Sequence, residues 1–164
     1  MSQKPNSANG DGRRSVGLGA LVAVVALVAA CSGSSAPASP AATSVNVTLQ
    51  EFAILPDAAS VSPGTVTFVA KNTGPEDVHE LVVIKTDLAA DALPVDEDGK
   101  ATEGVPGVTL IGEIEDIDVG ASKQTALELT PGKYVLICNI VQTEPDGSIE
   151  AHYKVGMRTA FEVK

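Results

Sequence analysis

Four side chains of types that bind soft metal ions are spread along the sequence in a suggestive order. His79 precedes one apolar stretch, Cys138 ends another, and His152 and Met157 follow near the carboxyl terminus. A thiolate and two imidazoles in one plane, with a weak thioether on the axis, are the ligand set of a blue-copper centre. The order His, Cys, His, Met therefore predicts a site for one copper ion, alternating between Cu(I) and Cu(II).

Each of these residues also has an ordinary structural interpretation. A lone Cys138 can be a small hydrophobic core residue, and Met157 can fill space in a core. His79 can form a surface ion pair with Glu80, and His152 can be a plain loop residue. On this interpretation Glu80 itself is a solvated side chain. The two interpretations differ in whether the four side chains meet at one place.

Short strands are the elements that would have to position these side chains. Val45, Val47 and Leu49 alternate with polar residues, which predicts a half-buried strand over residues 45–54, with a bulge or bend near Glu51. Further strands are predicted at residues 65–70, 78–85, 108–117, 123–129, 134–138 and 157–163. Residues 87–107 form an acidic excursion, for which one helical turn at 88–93 is predicted. About seven to eight short strands indicate an all-β sandwich or barrel.

The spacing between two of the candidate ligands is long. Thirteen residues, Asn139 to Ala151, separate Cys138 from His152. Their Pro145-Asp146-Gly147 sequence is typical of a turn. The segment can form a small hairpin or flap that leaves both ends in place. It can also carry His152 too far from Cys138, and the sequence leaves both possibilities open.

The amino-terminal residues have the layout of an export signal. An arginine pair precedes an apolar run from Val16 to Ala30, which is short for a membrane span. The residues Leu27 to Cys31 resemble a bacterial lipobox, which implies a signal peptide at 1–30 and a lipid, such as palmitate, on Cys31. Ordinary secretory cleavage is the alternative, and export by the general or the twin-arginine route stays open.

The lipobox resemblance has two further implications. The Ser-, Ala- and Pro-rich residues 31–44 would form a flexible tether that holds the domain at 45–164 outside the cell membrane. With Cys31 lipidated, Cys138 has no disulfide partner, and an unpaired thiol in an exported protein needs an explanation. Metal binding supplies one.

The charge of the chain excludes one large class of partner. The formal net charge is -10, and residues 1–30 are net positive, so the remainder is more acidic still. Such a surface repels phosphate backbones, so nucleic acid is not an expected ligand. A basic protein would be attracted to it, whereas the acidic runs 96–98 and 113–116 are expected to be solvated faces.

Several motifs together resemble the cupredoxin family, the plastocyanin-like blue copper proteins. The resemblance covers about residues 45–164. It is carried by Val47–Phe52, Pro63–Phe68, His79-Glu80-Leu81, Pro131–Tyr134 and the spacing Cys138…His152-x4-Met157. It implies a Greek-key β-sandwich, copper bound by His79, Cys138 and His152 with Met157 on the axis, and His152 as the partly exposed ligand through which electrons pass. The thirteen intervening residues depart from the family, in which this spacing is usually shorter.

The resemblance implies a monomeric one-electron carrier, not an enzyme, that is lipid-anchored on the outer side of a bacterial membrane. Its expected partner is a basic or membrane-bound redox protein. Two alternatives are a copper-handling protein without redox turnover and a metal-free β-sandwich that serves as an interaction module. The Met- and His-rich tracts that are usual in copper-handling proteins are missing from the sequence.

Overall fold

The computed structural model describes residues 43–164. Cys31 and nearly all of the predicted tether therefore lie outside the described residues. The regular elements are β1 (Thr43–Gln50), β2 (Ala53–Pro56), β3 (Ser60–Val61), β4 (Gly64–Asn72), β5 (His79–Lys85), β6 (Thr109–Ile117), β7 (Ser122–Leu129), β8 (Gly132–Ile137), β9 (Val141–Thr143), β10 (Ile149–Ala151), α1 (His152–Val155) and β11 (Arg158–Val163). Within residues 43–164, no helix has the length and apolar character needed to cross a bilayer.

Two sheets form the body of the molecule, and a separate hairpin extends from them. One sheet has the strand order β2-β1-β4-β7, and the other has the order β3-β11-β8-β5-β6. Strand β1 runs parallel to β4, and β3 runs parallel to β11, whereas the other neighbouring pairs are antiparallel. The hairpin consists of β9 and β10. The predicted all-β sandwich is confirmed.

Alternation along the strands places the main core between the two sheets. Val45, Val47 and Leu49 are buried, as their alternation predicts, and they pack in one cluster with Phe68 of β4. The facing sheet contributes its own inward side chains to the same cluster, namely Leu81, Val83, Ile114, Tyr134, Leu136, Phe161 and Val163. Cys138 and Met157 belong to this cluster as well, so one end of the core merges with the candidate metal site.

The strand that follows His79 is buried on both of its faces. Strand β5 lies between β8 and β6, and its residues 81–84 are all buried. The acidic excursion at residues 87–107 covers the outer face, where Leu93 and Val108 pack on Val82 and Ile84. The helical turn predicted at 88–93 is wrong, because the chain there makes only a hydrogen-bonded turn from Ala89 to Ala92.

The chain around Glu51 reverses direction, which the sequence analysis did not foresee. Instead of a bulge in a continuing strand, residues 51 and 52 form a tight turn, and β2 pairs back on β1 with Gln50 opposite Ala53. Ile54 is thereby buried in the main core, although it lies on the polar side of the alternation in β1. The reversal leaves Glu51 at the tip of a hairpin, at the same end of the sandwich as the candidate ligands.

One buried side chain organises the loop that leads to His79. Asn72 is fully buried, and its amide nitrogen donates to the carbonyls of Asp77, at 2.7 Å, and Ile117, at 2.9 Å. Its amide oxygen accepts the backbone N–H of Gly74 at 2.9 Å. Three hydrogen bonds from one side chain therefore hold residues 72–79 against β6.

Replacing this side chain tests its contribution to stability. In Asn72→Ala two carbonyl groups and one N–H lose their partners, so we expect the free energy of unfolding to fall by about 2–3 kcal/mol. Asn46→Ala is the control, since Asn46 is exposed and hydrogen-bonds to Asp57 at the surface. Denaturant unfolding of the metal-free chain measures both, and equal losses in the two variants would contradict the assignment.

Candidate metal centre

Backbone hydrogen bonds close the segment that carries three of the four candidate ligands. The N–H of Cys138 donates to the carbonyl of Met157 at 3.1 Å, and the N–H of His152 donates to the carbonyl of Ile140 at 2.9 Å. The N–H of Met157 in turn donates to the carbonyl of His152 at 2.9 Å, across the single turn of α1. These bonds bring residues 138, 152 and 157 to the same end of the sandwich.

The thirteen residues between Cys138 and His152 form a hairpin that leaves both ends in place. Val141 pairs with Ala151, and the tip turns at residues 144–148, where the N–H of Gly147 donates to the carbonyl of Glu144. The turn predicted from the Pro-Asp-Gly sequence lies at this tip. Of the two possibilities that the sequence left open, the structure shows the one in which the hairpin leaves both ends of the segment in place.

Three donor atoms converge at this end of the sandwich. The Sγ atom of Cys138 lies 3.3 Å from Nδ1 of His152 and 4.0 Å from Nδ1 of His79. The two Nδ1 atoms are 3.3 Å apart. An ion held at about 2.0–2.3 Å by three coplanar ligands separates those ligands by about 3.5–3.7 Å. The observed triangle therefore has the size of a three-coordinate metal site.

Met157 lies beside this triangle. Its side chain is fully buried, and its backbone bonds to both Cys138 and His152 fix its position at the end of the core. The residue thus lies at the same end of the sandwich as the three converging atoms. Its place as an axial ligand stays a prediction from the family resemblance.

The sulfur of Cys138 is inaccessible to solvent and accepts backbone hydrogen bonds. Cys138 is fully buried, and the N–H of Glu80 donates to its Sγ at 3.4 Å. Burial raises the pKa of the Cys138 thiol to about 12, although the N–H groups of Glu80 and Ile140 act in the opposite direction. In the metal-free chain the thiol is therefore protonated at neutral pH, and a metal ion has to displace its proton.

The two imidazoles are neutral in the metal-free chain. His79 and His152 are fully buried, and burial lowers the pKa of each. The neighbouring His79 lowers the pKa of His152 further, while the carboxylates of Glu51 and Asp77 oppose both shifts. Neutral imidazole is the form that binds metals, so the site needs to release only the thiol proton on loading.

The outer ring nitrogens each face a carboxylate. Nε2 of His79 is 3.5 Å from Oε1 of Glu51, and Nε2 of His152 is 3.9 Å from Oε1 of Glu150. Neither Nε2 atom has a hydrogen-bond partner, although both are buried. The sequence analysis missed Glu51 and Glu150, because a lone glutamate gives no signal until the fold places it near a ligand.

The family resemblance made His152 the partly exposed ligand, and this expectation is wrong. His152 is fully buried, because Phe52 packs edge-on against its ring at 5.4 Å between centroids and the β9–β10 hairpin covers it. Glu51, Phe52 and Glu150 instead line a surface cavity of about 260 Å³. These residues separate the imidazole edges from solvent.

The interpretation of Glu80 as a plain solvated residue is also wrong. Its carboxylate accepts the N–H of Asn139 at 2.9 Å, and burial raises its pKa. Asn139 is itself buried and exchanges two hydrogen bonds with the backbone of Ala101, at 2.7 and 2.9 Å. The residue that follows Cys138 is thereby tied to β5 and to the excursion. His79, likewise, is buried rather than part of a surface ion pair with Glu80.

Comparisons with known proteins find similarity to solved structures alone. No protein-family model matches the chain, and no curated protein matches it. Among solved structures, the chain is similar to dithionite-reduced auracyanin from the photosynthetic bacterium Roseiflexus castenholzii, with 22% identity, a TM-score of 0.49, and coverage of 75% of this chain and 98% of that one. It is also similar to auracyanin A, a "blue" copper protein from Chloroflexus aurantiacus, with 19% identity, a TM-score of 0.47, and coverage of 74% and 98%.

A third similar structure is reduced rusticyanin, with 18% identity, a TM-score of 0.46, and coverage of 74% of this chain and 80% of that one. These proteins are cupredoxins, the family that the sequence resembles. At such identities and TM-scores the likeness carries no residue assignments. The site described above therefore depends on this chain's own side chains.

The raised pKa of Cys138 predicts how the stability of the metal-free chain changes at alkaline pH. The unfolded thiol ionises near its ordinary pKa of 9.0, while the folded thiol keeps its proton up to about pH 12. The folded state then binds more protons, so stability falls as the pH rises from about 9 towards 12. Unfolding of wild type and Cys138→Ser across this range should show a steeper fall in wild type. Parallel curves would contradict the buried, protonated thiol.

Proposed function

We propose that this chain is a one-electron carrier that holds a single copper ion at His79, Cys138, His152 and Met157. The observation that carries the proposal is the triangle of Sγ and two Nδ1 atoms, with sides of 3.3, 3.3 and 4.0 Å, inside a buried pocket. A thiolate with two imidazoles favours copper, and a thioether fits a weak axial position. The ion supplies the exchange between Cu(II) and Cu(I).

The protein's own contribution is a site whose ligands are in position before the ion arrives. The backbone bonds across residues 138–157 and the two sheets hold all four side chains, and every one of them is inaccessible to solvent. Rigid, dry surroundings limit the rearrangement of ligands and water that a change of charge would otherwise cause. This is the property that an electron carrier requires, whereas an enzyme would need an open position for substrate.

The location of the protein forms a second part of the proposal. We infer that the chain is exported and attached by a lipid on Cys31 to the outer side of a bacterial membrane. The support is the lipobox resemblance at Leu27–Cys31 behind a short apolar run. A single domain on a tether can approach redox proteins in or near the same membrane.

Absorption spectroscopy tests the copper site. Adding Cu(II) to the metal-free protein should produce an intense visible band from charge transfer between thiolate and copper. The band should be absent in Cys138→Ser and should survive, with altered wavelength or intensity, in Met157→Leu, since the three planar ligands remain. A colourless Cu(I) form that resists oxidation would favour copper handling without redox turnover. Failure to bind copper would favour a metal-free interaction module.

The partner is proposed from the charge above the site. The cavity over the imidazole edges is lined by five carboxylates, those of Glu51, Glu76, Asp77, Glu144 and Glu150. Electrons that leave through His79 or His152 pass this surface, because Glu51 and Glu150 contact the two rings. A redox partner that presents basic side chains would be steered to it.

Small redox probes test the steering. Cobalt(III) phenanthroline, a cation, should oxidise the Cu(I) protein about threefold or more slowly in the double variant Glu76→Gln/Glu144→Gln at low ionic strength. Asp87→Asn/Glu162→Gln is the control with the same change in net charge, at a separate cavity beside Lys133 and Tyr134. Stopped-flow absorbance gives the rates. Equal slowing by both pairs would show an effect of net charge alone and would remove the local partner surface.

A further inference from the structure

Nε2 of His79 is buried and has no hydrogen-bond partner, although the carboxylate of Glu51 lies close to it. When Nδ1 of His79 binds a metal, the ring proton must reside on Nε2. That atom is buried, without a hydrogen-bond partner, and 3.5 Å from Oε1 of Glu51. A buried N–H that stays unpaired costs free energy. A hydrogen-bond acceptor beside Nε2 would therefore stabilise the metal-bound state.

The carboxylate of Glu51 is held in a built pocket. Oε1 accepts the backbone N–H of Asp77 at 2.8 Å and that of Glu76 at 3.4 Å. The remaining wall is Gly74, where a Cβ atom would lie only 2.3 Å from Oε2 of Glu51. The Asn72 side chain, in turn, holds this loop in place. The loop before His79 is thus shaped around the carboxylate.

The charge of Glu51 is retained in this pocket. The backbone N–H groups of Glu76 and Asp77 donate to its carboxylate, and hydrogen bonds of this kind favour the charged form of a carboxylate. Glu150, the corresponding carboxylate beside His152, is more distant at 3.9 Å and is held by the side chain of Gln142 rather than by backbone. Glu51 is therefore the better-fixed of the two.

We propose that Glu51 is a positioning residue of the metal centre. Its carboxylate accepts a hydrogen bond from the Nε2–H group of His79 and stabilises Cu(II) relative to Cu(I). The inference deepens the proposed function and depends on it. A carboxylate behind a metal-bound imidazole fixes the tautomer and the ring orientation and makes the nitrogen a stronger donor. Cu(II) with a thiolate has a charge of +1, which the carboxylate balances, whereas Cu(I) with a thiolate is already neutral.

The central test is the reduction potential of Glu51→Gln. The amide keeps the size of the side chain and removes its charge, so we expect Cu(II) affinity to fall about tenfold more than Cu(I) affinity. That ratio corresponds to a rise in potential of about 59 mV for one electron. Glu76→Gln is the matched control, because its carboxylate lines the same cavity without contacting either imidazole. It should shift the potential much less.

A second variant moves the carboxylate without altering it. In Gly74→Ala the new methyl group would overlap Oε2 of Glu51 and push the carboxylate away. We expect this variant to raise the potential in the same direction as Glu51→Gln. In the diamagnetic Cu(I) form, the Nε2 proton of His79 should exchange slowly with solvent in wild type and faster in both variants, as measured by proton NMR.

The outcomes separate the two proposals. Equal potentials in wild type, Glu51→Gln and Gly74→Ala, with a blue copper band in all three, would overturn the role of Glu51 and leave the electron carrier intact. Equal shifts in Glu51→Gln and Glu76→Gln would also overturn it, by showing a general charge effect. A wild-type chain that binds no copper would overturn both proposals together.

Discussion

The hydrogen bonds across the base of the segment 138–157 are the constraint on which the candidate site depends. Cys138 lies at the end of β8, and Met157 immediately precedes β11, the strand antiparallel to β8. Sheet pairing therefore fixes the two ends of the segment, whatever its length. The hydrogen bond from the N–H of His152 to the carbonyl of Ile140 then brings residue 152 back beside residue 140. The hairpin between them therefore does not increase the distance from Cys138 to His152. As a result a long connection behaves geometrically as a short one.

Burial of the site and the carboxylates around it have opposite effects on the free energy of binding a cation. Burial disfavours any charge on the Cys138 sulfur and on both imidazoles, as the directions of their pKa shifts indicate. The metal-free pocket is therefore a neutral, dry set of donors that a cation can enter only by releasing the thiol proton. Carboxylates gathered just outside the pocket offset part of the cost of bringing a cation into it.

Much of the fold could be predicted from local sequence, because its signals are local. The alternation of Val45, Val47 and Leu49 and the apolar run of β5 report burial directly, and the candidate ligands are identifiable by residue type. The turn at Glu51 could not be predicted in the same way, since Ile54 reaches the core only through pairing with Leu49. The contact between Glu51 and His79 depends on the position of a hairpin tip relative to a distant loop. The net charge and composition of the sequence do not indicate this contact, so the carboxylates of Glu51 and Glu150 could not be identified from the sequence.

The error about His152 is the most informative one for function. An exposed ligand edge would let a partner approach the metal directly, over a short electron path. Here Phe52 and the β9–β10 hairpin close that edge, and the groups that remain at the surface are carboxylates. On the proposed function, a partner would therefore meet a negative surface before it came near either imidazole. The Glu51 carboxylate faces the His79 ring and also lines the acidic cavity. On the proposed function, affinity for Cu(II) and preference for a basic partner would therefore be linked through one side chain. The loop from Asn72 to His79 holds that side chain by its backbone N–H groups, so the position of the carboxylate beside His79 depends on the conformation of this loop.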